Sequence, residues 1–181
     1  DEIAGTRAAL GWTHAPFEIP DDIMTAWRAV GSRGAATRAA WQDRHTAADS
    51  IAFDTAIAGD YSAAVNEAIL TWKRGLAAEP QKIATRVASQ KAIAAIVPAC
   101  PALFGGSADL TGSNNTRVDE QTIFDHDNPA GSYIHYGVRE HGMAAAMNGI
   151  ALHGGAIPYG GTFLVFTDYC RPSIRLSALM R

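Results

Sequence analysis

The stretch from Tyr133 to Thr162, YIHYGVREHGMAAAMNGIALHGGAIPYGGT, decides the fold. Tyr133 to Val138 alternates apolar and polar residues, the period of a strand. A helix then follows Glu140, with Met143, Met147, Ile150 and Ala151 in phase on one face. Gly154-Gly155 closes that helix, and Ile157 to Thr162 reads as a second strand containing glycine. Strand, helix and strand over 30 residues form the elementary unit of a parallel α/β sheet.

Working outward upholds that reading. Upstream, residues 83–97 predict a helix with Ala88, Ala92, Ala95 and Ile96 on one face. Pro98 and Pro101 stop it, and Ala102-Leu103-Phe104 is a short buried strand candidate. Gly105 to Asp109 is expected as a turn at the C-terminal end of that strand. Residues 111–131 read as polar loop, rich in Asn, Asp and Gly. Downstream, a helix is expected from about Asp168, carrying Ile174, Ala178 and Leu179. The expected fold class from Pro80 onward is therefore α/β, with a mainly parallel sheet flanked by helices. So small a sheet implies an incomplete domain.

The first part of the chain differs in character. Residues 1–20 read as loop with one short helical piece. Pro20 opens a helix with Asp21 and Asp22 in its first turn, where the helix dipole favours acids. Ile23, Trp27 and Val30 predict a buried stripe on it. Residues 35–58 read as one Ala-rich helix around Trp41. Tyr61, Val65, Ile69 and Trp72 mark another. Three to four helices and no strand are expected here. The boundary is placed at 78/79, giving units 1–78 and 79–181.

Composition narrows the function classes. Hydrophobic residues make up 48% and charged residues 18%, enough apolar material for a core. A net charge of −3 disfavours non-specific nucleic-acid binding, which needs a basic face. No apolar run reaches membrane-spanning length, and no signal-peptide pattern opens the chain. Cys100 and Cys170 are the two cysteines, too few for a disulfide framework, so a reducing compartment and the cytoplasm are expected. His135 and His141 lack a third ligand at metal spacing, and no metal site is expected. No Walker lysine, Gly-x-Gly-x-x-Gly or Gly-x-Ser-x-Gly is present.

Three segments carry candidate chemistry. Gly137 to Met143 places Glu140 at a strand-to-helix junction before the apolar turn Ala144-Ala145-Ala146. A desolvated carboxylate there would have a raised pKa and could share a proton. The commoner reading of such a residue is a helix-start acid complementing the dipole. Phe163, Phe166 and Tyr169 recur every three residues, which makes either an aromatic wall for a flat ring or ordinary core packing. The glycines at 160 and 161 favour close approach to the backbone. Gly105 to Asn115 alone is weak evidence for phosphate.

Taken together and in order, these segments closely resemble the transketolase family. The matching stretches are Ala84 to Arg86, Gly105 to Thr111, Gly137 to Met143 with Met147 to Ile150, Tyr159 to Tyr169, and Arg175 to Leu179. Leu10 to Pro20 resembles the end of the family's N-terminal domain. The resemblance favours the functional reading of both Glu140 and the aromatics. It implies a thiamin-diphosphate-binding fold that transfers a two-carbon ketol unit from a ketose phosphate to an aldose phosphate in the pentose phosphate pathway. It implies that Glu140 bonds the aminopyrimidine N1′, so that acid–base work passes through the cofactor. By the same resemblance Phe163, Phe166 and Tyr169 surround the pyrimidine, and Asp109 lies near the cofactor. Arg86 and Ser113 hold the sugar phosphate.

Departures from the family pattern are also legible. The family's Gly-Asp-Gly and Asn pair for diphosphate and Mg2+ or Ca2+ are missing, since Gly59-Asp60-Tyr61 is not that motif. The implied homodimer shares each site between subunits. This chain alone is therefore expected to bind cofactor poorly and to be inactive. Dihydroxyacetone synthase, phosphoketolase, deoxyxylulose-phosphate synthase and a non-catalytic interaction module are the alternatives.

Overall fold

A computed structural model describes residues 2–181. The chain divides into two compact units, residues 1–50 and 51–181. The first holds helices α1 (Glu2–Ala9), α2 (Asp21–Ser32) and α3 (Ala35–Ala47). The second holds α4 (Ile51–Ala58), α5 (Ser62–Ala78), α6 (Thr85–Ile96), β1 (Leu103–Ser107), α7 (Thr111–Asn114), β2 (Tyr133–His135), α8 (Glu140–His153), β3 (Ile157–Pro158) and α9 (Thr167–Met180).

All three strands are parallel, in the order β2-β1-β3. Gly105 pairs with Tyr133 and Ser107 with His135, while Leu103 pairs with Ile157. β1 is thus central, and both neighbours end at the same edge as Ser107. The buried apolar residues gather around it: Cys100, Ala102, Ala108, Val118, Tyr133, Met143 and Cys170. α5 packs on α6, and α8 on α9 forms the most extensive helix pair. The parallel α/β class expected from the sequence is what the second unit shows.

Several local expectations are corrected. Gly105 to Ser107 belong to β1 and are not a turn; the turn is Ala108-Asp109. The reason is tertiary. A Cβ on Gly105 would collide with the Tyr159 ring, so glycine lets strand and ring close on each other. The Ala-rich stretch 35–58 is two helices, because Ala48 is extended and Asp49-Ser50, residue types that favour helix starts, precede Ile51. α7 interrupts the expected loop. β2 and β3 are shorter than their alternation suggested, although single bonds continue the ladders, Tyr136 N–H to Ser107 O at 3.0 Å and Gly161 N–H to Gly106 O at 2.9 Å. Among the described residues up to 78 there are five helices, more than expected. Ile23, Trp27 and Val30 are exposed, with Trp27 at 77%. Periodicity identified an apolar face, but nothing among the described residues covers it. Tyr61, Val65, Ile69 and Trp72 do form a half-buried stripe on α5.

Candidate functional site

The site lies past the C-terminal ends of the strands, where ligands bind in open parallel sheets. Gly137, at φ 67°, turns the chain out of β2. Arg139 donates from its guanidinium to the Tyr136 carbonyl at 2.9 Å, which steadies the turn. Glu140 then starts α8. It is 8% exposed. Its carboxylate has no hydrogen-bond partner among the described residues, whereas its backbone carbonyl accepts from the Cys170 thiol at 3.3 Å. Burial pushes the Cys170 thiol pKa up, and the negative Glu140 nearby adds to the rise.

The aromatics form a ladder leading into α9. Phe163 and Phe166 stack with centroids 5.7 Å apart and planes at 28°. Phe166 and Tyr169 follow at 6.1 Å and 34°. Phe163 is 40% and Tyr169 61% exposed, so the ladder is only partly packed away. Cys170 comes directly after Tyr169 and touches the Glu140 carbonyl, so α9 ties the ladder to the start of α8.

Arg86 and Ser113, 27 positions apart in sequence, line one cavity of about 700 Å³. Thr85, Ser89, Asn114, Thr116, Thr162 and Phe163 share its wall. The volume suits a small phosphorylated molecule. Arg86 offers a planar fork of donors and Ser113 a hydroxyl, the groups that recognise phosphate. Glu140 and Asp109 do not line this cavity. Asp109 is exposed in the turn after β1, at φ 62°. Thr162 escaped the sequence reading, and its hydroxyl oxygen is buried without a partner. The adjacent glycine pair was its signal. Among the described residues, no three His, Cys, Asp or Glu side chains could hold a metal ion together. Among the described residues, no helix is long and apolar enough to cross a membrane.

A parallel sheet with a carboxylate at a strand-to-helix junction and an aromatic ladder beside it defines an α/β domain with a ligand site at the C-terminal ends of its strands. Residues 81–181 match the family model described as transketolase, pyrimidine binding domain, and residues 1–60 that described as transketolase, thiamine diphosphate binding domain. The chain belongs to the transketolase family. A transketolase of Cereibacter sphaeroides is 58% identical over 180 residues, 99% of this chain and 27% of that protein. One from Sinorhizobium medicae is 49% identical over 99% of this chain and 26% of its own length. Among solved structures, transketolase from Leishmania mexicana is 35% identical with a TM-score of 0.79, over 97% of this chain and 27% of that one. A Pichia stipitis transketolase in complex with sedoheptulose-7-phosphate is 30% identical with a TM-score of 0.71, over 94% and 27%. The chain therefore spans about a quarter of the length of these relatives.

Proposed function

We propose that this chain supplies the pyrimidine side of a transketolase site, within an enzyme moving a two-carbon ketol unit from a ketose phosphate to an aldose phosphate. The observation that carries the reading is the convergence of Arg86, Ser113 and Phe163, from three separate stretches, on one cavity. In this proposal Arg86 and Ser113 hold the sugar phosphate. Glu140 holds a proton at the pyrimidine nitrogen, a role that suits a buried carboxylate without a protein partner. Phe163, Phe166 and Tyr169 receive the flat ring. Asp109 sets negative charge near the cofactor. When bound, thiamin diphosphate supplies an electron sink for carbon–carbon cleavage.

The residues present fit the pyrimidine end and do not fit a metal. Diphosphate and Mg2+ or Ca2+ are accordingly assigned to sequence that the relatives carry beyond the matched quarter. Residues 1–78 are read as the end of a diphosphate-binding domain with linker helices, and 79–181 as the start of the pyrimidine-binding domain. A cytoplasmic homodimer with sites shared between subunits, working in the pentose phosphate pathway, completes the proposal.

The test is a chimera. The matching segment of the Cereibacter sphaeroides enzyme is replaced by this chain and assayed with xylulose 5-phosphate and ribose 5-phosphate. Ketol transfer should appear, and Glu140→Ala should lower kcat by about 10²- to 10⁴-fold, the usual span for an acid–base group. A folded but inactive chimera, or a Glu140→Ala variant of full activity, would overturn the reading. The isolated chain should turn nothing over.

A further inference from the structure

A chain of buried polar groups runs behind the cavity. Ser107, fully buried, donates from its hydroxyl to the Gly161 carbonyl at 3.0 Å. The same oxygen accepts from the Leu110 N–H at 3.2 Å and from the Asn114 carboxamide at 3.3 Å. One donor and two acceptor sites are then all used. Asn114 Oδ1 in turn accepts from the Thr116 hydroxyl at 2.8 Å. Thr116 has spent its proton there, so the Tyr133 hydroxyl, 2.8 Å away, must donate to it. Thr111, 2.9 Å from that phenol, must donate to Tyr133. The bonds therefore point one way, from Thr111 to Gly161.

Among these side chains, Asn114 alone accepts on one atom and donates from another. A carboxamide does this; a carboxylate of the same reach has no proton to donate and cannot keep the bond to Ser107. Its position matters as much. Ser113, Asn114 and Thr116 line the cavity as the wall from one segment, and Gly161, Thr162 and Phe163 as the wall from another. A Cβ at Gly161 would meet Thr116 Cγ2 and lie 3.0 Å from Asn114 Nδ2, so glycine allows the two walls to close.

We infer that Asn114 is a positioning residue: its carboxamide, bridging Thr116 and Ser107, sets the spacing between the Ser113 wall and the Gly161–Phe163 wall. The inference rests on the transketolase reading for its substrate, a phosphorylated ketose. Its role is to hold Ser113 where the phosphate needs it, without being a catalytic residue itself.

Two measurements test it. In the active chimera, Asn114→Ala should lower kcat/KM for xylulose 5-phosphate about tenfold, mainly through KM, as for loss of one or two buried hydrogen bonds. The unphosphorylated ketose erythrulose should change less than twofold. Loss of fold stability alone would depress both donors alike, and equal losses overturn the inference. Thr116→Val, a gentler change, should show the same selectivity if Asn114→Ala folds poorly. The second measurement is a double-mutant cycle on unfolding of the 181-residue chain, combining Asn114→Ala with Ser107→Ala. The double variant should cost clearly less than the two single losses together. Strict additivity breaks the proposed link whatever the activity. A parent chimera inactive on both donors would instead sink the transketolase reading and the substrate role with it, leaving the cycle to judge the link.

Discussion

At the scale of single residues, Arg86 and Tyr159 separate binding from folding. Arg86 is exposed on α6 and reaches the cavity edge, so it does little for the fold. Arg86→Ala in the chimera should raise KM for xylulose 5-phosphate roughly 10- to 100-fold with kcat nearly unchanged, the loss expected for charge-assisted bonds to phosphate. A fall in kcat with KM constant would remove Arg86 from ground-state binding. Tyr159 is the opposite case. Its hydroxyl lies 2.7 Å from the Thr116 carbonyl and 2.8 Å from Gln121 Oε1, so one proton is shared by two acceptors. Burial pushes its pKa from 10.0 up to about 12. The fold thus favours the protonated phenol. That stabilisation is whole below pH 10, and is lost as pH climbs through 12. Urea unfolding of the native chain and Tyr159→Phe, compared from pH 9 to 12, should show the difference between them shrinking over that interval. A constant difference would mean the phenol does not titrate with unfolding.

At the scale of elements, the central strand depends on a missing side chain. Gly105 sits in β1 against the Tyr159 ring, and the ring is pinned by its hydroxyl on two partners. A methyl group there cannot be accommodated by a simple swing of the ring. Gly105→Ala should therefore cost about 1–3 kcal/mol or more, the range for overpacking, read as a lowered urea midpoint at unchanged slope. The same contact explains what local pattern could and could not reveal. The strand–helix–strand order and the Glu140 junction were legible because alternation and helical phase are local signals. Phe163, Phe166 and Tyr169 were legible as a group because their spacing of three recurs over one short stretch. Gly105 and Gly106 were misread as a turn, since the rings that demand glycine come from Tyr159 and Tyr136, far along the chain. The polar network of Ser107, Asn114, Thr116 and Tyr133 escaped for the same reason. Local spacing carries no trace of such a network, because its members meet only after β1, β2 and the segment past β3 have come together.

At the scale of the whole molecule, the second unit leaves an apolar surface uncovered. α9 buries only Cys170 and Ser173, while Asn148 of α8 donates to the Ser173 carbonyl at 2.9 Å. Its other apolar residues, Ile174, Leu176, Leu179 and Met180, remain exposed, as do Leu164 and Val165 just before it. A helix that is apolar beyond the stripe its neighbour covers is expected to meet a second surface. Relatives about four times as long are the natural source of that surface, given that this chain spans only 27% of them. The chain by itself should consequently bind the dye ANS in the folded state and associate with rising concentration in sedimentation experiments. Adding salt should not disperse it, because the attraction is hydrophobic and not ionic. Replacing Leu164, Ile174 and Leu179 together by lysine should reduce both dye binding and association while leaving helix content unchanged. The same triple substitution in the chimera should damage assembly, because there the surface is needed. Monomeric, dye-silent behaviour of the isolated chain would show that α9 needs no further partner, and would move the search for its role elsewhere on the molecule.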